Sequence, residues 1–236
     1  MAMLKAAGGV LETGNPELDK KLGGGVPVGS LILIEGQSDA GKSVFTQQLA
    51  WGSSRVGYRV TILSTENTVK SMIRHTKSLN LDILDYVLLG RMKVFSLRAM
   101  RAQDGSENAL RSLLQAMYRL WEQDLVIVDS ITSFVSNSTP EQVIAFFEEC
   151  KHYTDQGMSI ALVAHSYAFN EGMLIRISSM CDAHFKLAIE NMGDKLIKTL
   201  EVSKVRGAQM STGNIISFDI EPGMGMRIIP FTKAKA

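Results

Sequence analysis

The sequence predicts an α/β fold, with a largely parallel central sheet flanked by helices and an antiparallel β extension toward the C-terminus. Three observations predict it. Apolar runs at 31–34, 60–64, 124–129 and 159–164 alternate with segments of helical character, a βαβ rhythm that builds parallel sheets covered on both faces. The runs are apolar at nearly every position, as strands buried on both faces are. After residue 180 the rhythm gives way to alternating segments parted by tight-turn signals, the pattern of hairpins.

The elements follow in order. Leu31-Ile32-Leu33-Ile34 reads as a strand, the loop 36–43 follows, and 44–51 reads as a helix. A strand at 60–64 starts after Gly57-Tyr58, a helix covers 68–79 and ends before Asn80, and a strand covers 92–97. Ser106 stands at a cap position before Glu107, and Leu110, Leu113, Leu114, Met117 and Leu120 recur at helical spacing. A strand at 124–129 is followed by Thr139-Pro140-Glu141, which opens a helix with Pro at its first position. After the strand at 159–164, runs 183–190 and 195–202 pair around Asn191-Met192-Gly193-Asp194, and 215–220 and 226–229 add two strands around Pro222-Gly223. No linker or repeat divides the chain, so residues 1–236 read as one domain, with Ala2 to Gly9 and the tail from Lys233 weakly ordered.

Composition narrows the function classes. At 236 residues and 45% hydrophobic content, the chain can bury a sizeable core. A net charge of +1 excludes the global basic field of a nucleic-acid binder. Cys150 and Cys181 form no C-x-x-C or metal spacing, which predicts buried, reduced thiols and a cytoplasmic location. No apolar run approaches a membrane span and no secretory signal is evident before Gly8-Gly9. The 13 methionines read as core filler.

The chemistry starts at Gly36-Gln37-Ser38-Asp39-Ala40-Gly41-Lys42-Ser43, which fits G-x-x-x-x-G-K-[ST] between a strand and a helix. Backbone N–H groups of Gly36, Ser38, Asp39, Ala40, Gly41, Lys42, Ser43 and Val44, with the helix N-terminus, would cradle phosphate. Lys42 would reach the β- and γ-phosphates and the Ser43 hydroxyl would hold Mg²⁺. Ligands of open parallel sheets lie beyond the carboxyl ends of the strands, and three more strand ends are polar: Ser64-Thr65-Glu66, Asp129-Ser130 and His165-Ser166. Asp129 suits a carboxylate that meets Mg²⁺ through water and accepts from Ser43; its plainer reading is a helix cap. Glu66 suits a base that orients the attacking water, or else a first-turn Glu favoured by the helix dipole. His165 could donate to a γ-phosphate or merely satisfy a loop carbonyl, while His75, His152 and His184 join no constellation. Lys204 and Arg206, two apart at the end of a strand-like run 199–205, share one face and suit an arginine-finger role toward a neighbouring subunit, or a solvated surface pair.

These residues carry a family likeness. Thr13-Gly14-Asn15-Pro16-Glu17-Leu18-Asp19, Leu22-Gly23-Gly24-Gly25-Val26-Pro27 and Gly29-Ser30 resemble the entry segment of KaiC-type RecA-like ATPases. The P-loop, Ser64-Thr65-Glu66-Asn67, the Asp129 strand and Lys204-Val205-Arg206-Gly207 follow in that family's order, over nearly the whole chain. The Ser-Thr-Glu-Asn tetrapeptide, the run Val128-Asp129-Ser130-Ile131-Thr132 and the ending from Ile229 to Ala236 resemble the FlaH-type branch, accessory ATPases of the archaellum motor. The resemblance implies ATP as the nucleotide and a homo-hexameric ring. It also implies docking with the motor's secretion-type (FlaI-like) ATPase, its membrane platform (FlaJ-like) protein and a ring scaffold at the cytoplasmic face of the membrane. It matches Glu66 to a catalytic glutamate, and Lys204 and Arg206 to groups reaching a neighbour's γ-phosphate. KaiC-type modules often pair two glutamates at the catalytic position; here Asn67 follows Glu66, which implies slow hydrolysis with ATP occupancy as the signal. Self-phosphorylation also occurs among such relatives.

Two other readings remain. A RecA-like single-stranded-DNA-binding ATPase would use 166–180, where Tyr167 and Phe169 could stack on bases; Arg176, opposed by Glu171, is the only Lys or Arg there, which argues against nucleic acid. An ATP-loaded scaffold without hydrolysis is the other.

Overall fold

The computed structural model describes residues 9–97, 109–192, 195–212 and 214–229. The cap at Ser106, the segment 2–8, Gly193-Asp194 of the hairpin turn and the tail from Lys233 lie outside the described residues.

In chain order the elements are β1 (Val10–Leu11), α1 (Pro16–Lys21), β2 (Val26–Pro27), β3 (Leu31–Gly36), α2 (Lys42–Arg55), β4 (Val60–Ser64), α3 (Val69–Ser78), α4 (Leu84–Leu88) and β5 (Met92–Ser96). Then come α5 (Ala109–Tyr118), β6 (Leu125–Asp129), α6 (Thr132–Val135), α7 (Pro140–Asp155), β7 (Ser159–His165), a 3₁₀ turn (Ser166–Ala168), α8 (Glu171–Met180), β8 (Ala183–Met192), β9 (Lys195–Val205), β10 (Ile215–Glu221) and β11 (Gly225–Ile229). Among the described residues β1 and β2 form a small ribbon, and a nine-stranded sheet runs β11-β10-β9-β8-β3-β7-β6-β4-β5. Strands from β8 to β5 in that order pair in parallel, and β8 through β11 pair antiparallel.

The two-sided burial read from the apolar runs is realised residue by residue. On β3, Ile32 and Ile34 pack into one core with Phe45 and Leu49 of α2, while Leu31 and Leu33 pack into a second core with α5 and α7. β6 divides in the same way, with Leu125 and Ile127 in the first core and Val126 and Val128 in the second. The antiparallel extension contributes Phe185, Leu187, Leu200, Val202, Ile216 and Phe218 to the first core alone, which is why its strands alternate. The hairpin strands β8 and β9 extend beyond the expected 183–190 and 195–202.

Caps set the helix starts. Thr139 and Gln142 form a capping box with Pro140 in the first turn of α7, and Thr68 with Ser71 does the same for α3. α2 differs: its N-cap is Gly41 at φ 96°, and no side chain caps it. Its first-turn N–H groups are left for another partner. No helix of the described residues is long and apolar enough to cross a membrane.

Candidate nucleotide-binding site

β3 delivers the glycine-rich loop. A side chain on Gly36 would collide with the Leu187 carbonyl of β8, so the strand end can lie this close to its neighbour only as glycine. Asp39 (φ 59°) and Gly41 (φ 96°) are left-handed, which turns successive N–H groups inward as an anion-binding nest does. Ser38, Asp39, Gly41, Lys42, Ser43 and Val44 line a cavity of about 440 Å³ together with Glu66, Asp129, Ser130, His165 and Ile220. Gly36 and Ala40, expected among the phosphate contacts, stand back from that surface. The Gly36 carbonyl instead accepts from Lys42 Nζ at 3.0 Å. Ala40 is buried in the first core, and its N–H faces the Gln37 carbonyl at 3.4 Å.

The other strand ends converge on the cavity. The Ser64 hydroxyl accepts from the backbone N–H of Glu66 (3.3 Å) and Asn67 (2.9 Å), so the chain turns sharply after β4. Since α3 starts only after the Thr68 cap, Glu66 stands in that turn and not in a first helical turn. Thr65 ties β4 to β6: its N–H donates to the Asp129 carbonyl (2.9 Å), and its hydroxyl accepts from Ser130 N–H (3.0 Å). The Asp129–Ser130 peptide is cis. Asp129 caps no helix, because α6 begins at an N-cap of Ile131 without a side-chain bond. Its carboxylate accepts from the Ser43 hydroxyl.

Electrostatics follow from burial. Burial pushes the Asp129 carboxyl up to about 6; the Ser43 hydrogen bond and Lys42 oppose the rise and Glu66 adds to it. Burial lowers the Lys42 ammonium, against the pull of Asp129, Glu66 and Asp39. Lys42 donates to Gly36 O, to Gln37 O (2.6 Å) and to His165 Nδ1 (3.3 Å). Burial and the Lys42 charge lower the His165 pKa. An imidazole that accepts from an ammonium at Nδ1 carries its proton on Nε2, so His165 keeps a donor for a further acceptor. Its backbone N–H donates to Thr132 Oγ1 (2.9 Å), and its ring stacks on Tyr167 with centroids 5.1 Å apart.

Lys204 and Arg206 are not part of this cavity. Both reach the C-terminal end of α8, where Lys204 Nζ donates to Ser178 O (2.8 Å) and Arg206 Nη2 donates to Ser179 O (2.9 Å). They share one face, as their spacing implied. The aromatic pair at 167 and 169 is split: Tyr167 is exposed, but Phe169 is buried against Phe147 and cannot stack on a base. Ser130 figures in the sequence reading only as part of a polar strand end, with no role, and one lining residue, Ile220, escaped it. With Phe218, Ile220 packs over Gly41 from β10. That approach follows from sheet order and has no local signal.

A phosphate-binding loop at the end of a central parallel strand, with a buried carboxylate two strands away and a second carboxylate in the next turn, defines a P-loop nucleotide-binding domain of the RecA-like class. The comparisons with known proteins agree. The family described as "ATPase: KaiC" matches residues 11–233, and the chain belongs to it. It is 29% identical over 232 residues to the archaeal flagellar ATP-binding protein FlaH of Sulfolobus acidocaldarius, covering 96% of this chain and all of that one. It is 28% identical over 222 residues to FlaH of Methanocaldococcus jannaschii, covering 92% and 94%. The crystal structure of the flagellar accessory protein FlaH from M. jannaschii superposes with a TM-score of 0.82 at 28% identity over 96% of this chain and 100% of that one. A KaiC-like protein of Pyrococcus horikoshii, 18% identical with a TM-score of 0.75 over 94% and 99% of the chains, shares the fold.

Proposed function

We propose that this chain is an ATP-binding regulatory or assembly ATPase of the archaellum motor, acting as one domain over residues 1–236. The observation that carries the reading is the convergence of Lys42, Ser43, Glu66, Asp129 and His165 on one cavity. Lys42 would exchange the Gly36 and Gln37 carbonyls for phosphate oxygens, and the loop N–H groups would hold the rest of the polyphosphate. Ser43 and Asp129 offer the oxygen donors that Mg²⁺ requires, and the Asp129 carboxylate is buried and accepts from the Ser43 hydroxyl. A cation held there would share its shell with phosphate and water. When bound, Mg²⁺ supplies charge neutralisation at the phosphates.

For hydrolysis, Glu66 accepts the proton of the attacking water while the water oxygen bonds to the γ-phosphorus and the bridge to the β-phosphate breaks. His165 donates from Nε2 to the γ-phosphate. With Asn67 beside Glu66, turnover is slow and occupancy is the signal. Lys204 and Arg206 act on the phosphate of an adjoining copy in a homo-hexameric ring. The chain works at the cytoplasmic face of the membrane through the motor's secretion-type ATPase, platform protein and ring scaffold; the names of its FlaH relatives support the flagellar setting and ATP binding.

Calorimetry of Lys42→Ala tests the core of this: loss of ATP binding is expected, and wild-type binding would sink it. Molar mass with and without ATP and Mg²⁺ tests assembly, and an unchanged mass removes the nucleotide-driven ring. Equal phosphate release by wild type and Glu66→Gln would replace the ATPase by an ATP-loaded scaffold.

A further inference from the structure

A buried polar line joins β3 to β8, and the proposed site does not use it. Glu35 of β3 is 1% exposed and His184 of β8 is 7% exposed. His184 Nε2 donates to Glu35 Oε1 at 3.2 Å, and its other ring nitrogen lies 2.9 Å from the Ser178 hydroxyl of α8. Glu35 also accepts from the Ser166 hydroxyl. Burial acts to raise the Glu35 pKa, yet the His184 and Ser166 hydrogen bonds and the charges of His184 and Lys186 more than offset it, leaving it lowered. The carboxylate is therefore ionised and wholly dependent on these partners. A buried polar pair is a poor stabiliser compared with an apolar filling of the same volume, so stability alone gives no reason for polar residues here.

The ends of the line are informative. Glu35 directly precedes Gly36, whose carbonyl accepts from Lys42. Ser166 directly follows His165, whose ring touches Lys42. At the other end, the carbonyl of the same Ser178 accepts from Lys204 Nζ at 2.8 Å, and Ser179 O accepts from Lys204 (3.4 Å) and Arg206 (2.9 Å). The β8–β9 ladder pairs His184 with Lys204 but Phe185 with Val202, so Ser203 is an inserted bulge residue. That bulge sets Lys204 opposite His184, the kind of re-aiming for which bulges are used.

We infer that the buried line Ser166–Glu35–His184–Ser178 couples the nucleotide end of β3 and β7 to the end of α8 that seats Lys204 and Arg206, with His184 as its positioning residue. The inference rests on the reading that these two cations serve a neighbouring subunit. Nucleotide arriving at Lys42 and His165 draws on the groups flanking Glu35, and the shift passes through His184 to the last turn of α8. A subunit then presents its cations according to its own nucleotide state.

The test uses the full chain and a non-hydrolysable ATP analogue with Mg²⁺. In wild type the analogue should slow amide exchange across 171–182 several-fold. Ser178→Ala and His184→Leu should bind the analogue within twofold of wild type and lose that response; His184→Gln, which can still donate to Glu35, should regain part of it. Turnover should fall about tenfold in kcat with KM unchanged in Ser178→Ala and His184→Leu. Mixing either with Glu66→Gln subunits, whose cations are intact, should restore part of the rate. A wild-type exchange response in Ser178→Ala overturns the inference even if His184→Leu fails to fold. So does a rate loss that mixing cannot rescue while Arg206→Ala subunits are rescued in the same mixture. Wild-type turnover by Arg206→Ala would instead overturn the neighbour-subunit reading, and the inference with it.

Discussion

Asp129→Asn should make the nucleotide-free protein more stable at neutral pH, by an amount that depends on pH. The carboxyl is 4% exposed, and its pKa rises on folding from 3.8 to about 6, chiefly by burial. Through that window the native state holds a proton that the unfolded chain has released, so stability falls as pH rises and the full cost is present above the folded-state value. Two pKa units and a little more amount to about 3 kcal/mol. Asparagine keeps an oxygen to accept from Ser43 and buries no charge, but its amide hydrogens need partners, which trims the gain to about 1–3 kcal/mol. The assay is urea denaturation of both proteins without nucleotide or metal. The variant's advantage should grow by about 2 kcal/mol from about pH 4.5 to about pH 7.5. With Mg²⁺ and ATP the order should reverse, because the variant loses the cation-linked part of ligand stabilisation. An advantage constant across that pH range would refute the assignment of a strained, ionised carboxylate at this position.

Other outcomes follow from the same geometry. His165→Ala removes the Nε2 donor and should weaken ATP about tenfold, or roughly 1.4 kcal/mol, with ADP little changed; equal losses by calorimetry would deny it the γ-phosphate. Gly36→Ala drives a side chain into the Leu187 backbone and should cost about 3 kcal/mol in chemical denaturation; a cost near zero would mean that β8 can withdraw. Burial holds the Cys150 thiol well above its usual range and Cys181 up to about 12. Both should therefore resist thiol reagents until the protein unfolds, and rapid labelling of the native protein would contradict their burial.

The parallel core was legible because strands buried on both faces leave contiguous apolar runs, and because the caps Thr68 and Thr139 write helix starts in local sequence. The convergence of four strand ends was legible for the same reason, since parallel neighbours place their carboxyl ends on one rim. α8 was missed although Met173, Leu174, Ile177 and Met180 recur at helical spacing and pack on the second core; the face is short and only partly buried, with Ile177 its one buried residue, and the exposed apolar Ile175 blurs the pattern. With the helix missed, Phe169 looked available, whereas tertiary packing buries it on Phe147. His184 looked like a lone histidine because its carboxylate partner is 149 residues away in sequence. Ile220 enters the cavity only through the order β10-β9-β8-β3, and no local pattern encodes sheet order.

The geometry of the extension also bears on why one chain would not complete the site. β8 runs parallel to β3 and β9 antiparallel to β8, so the carboxyl end of β9 returns to the start of β3. Arg206 N–H donates to Asp182 O, and Asp182 N–H donates to Leu31 O, which sets Arg206 level with Leu31. From there Gly36 is roughly 16 Å further along the strand, at about 3.3 Å per residue, with two strands of lateral offset besides. That span exceeds one arginine side chain, so any phosphate that Arg206 meets belongs to another copy. If the cations do complete a neighbour's site, ATP binding and assembly are linked, and each strengthens the other by the same factor. The apparent ATP affinity of the wild type should then rise with protein concentration, while that of Arg206→Ala should not. Titrations of ATP at protein concentrations spaced about 100-fold apart would read this directly, since a tenfold shift is about 1.4 kcal/mol of coupling. Superimposable isotherms would leave Lys204 and Arg206 as caps of α8 and nothing more.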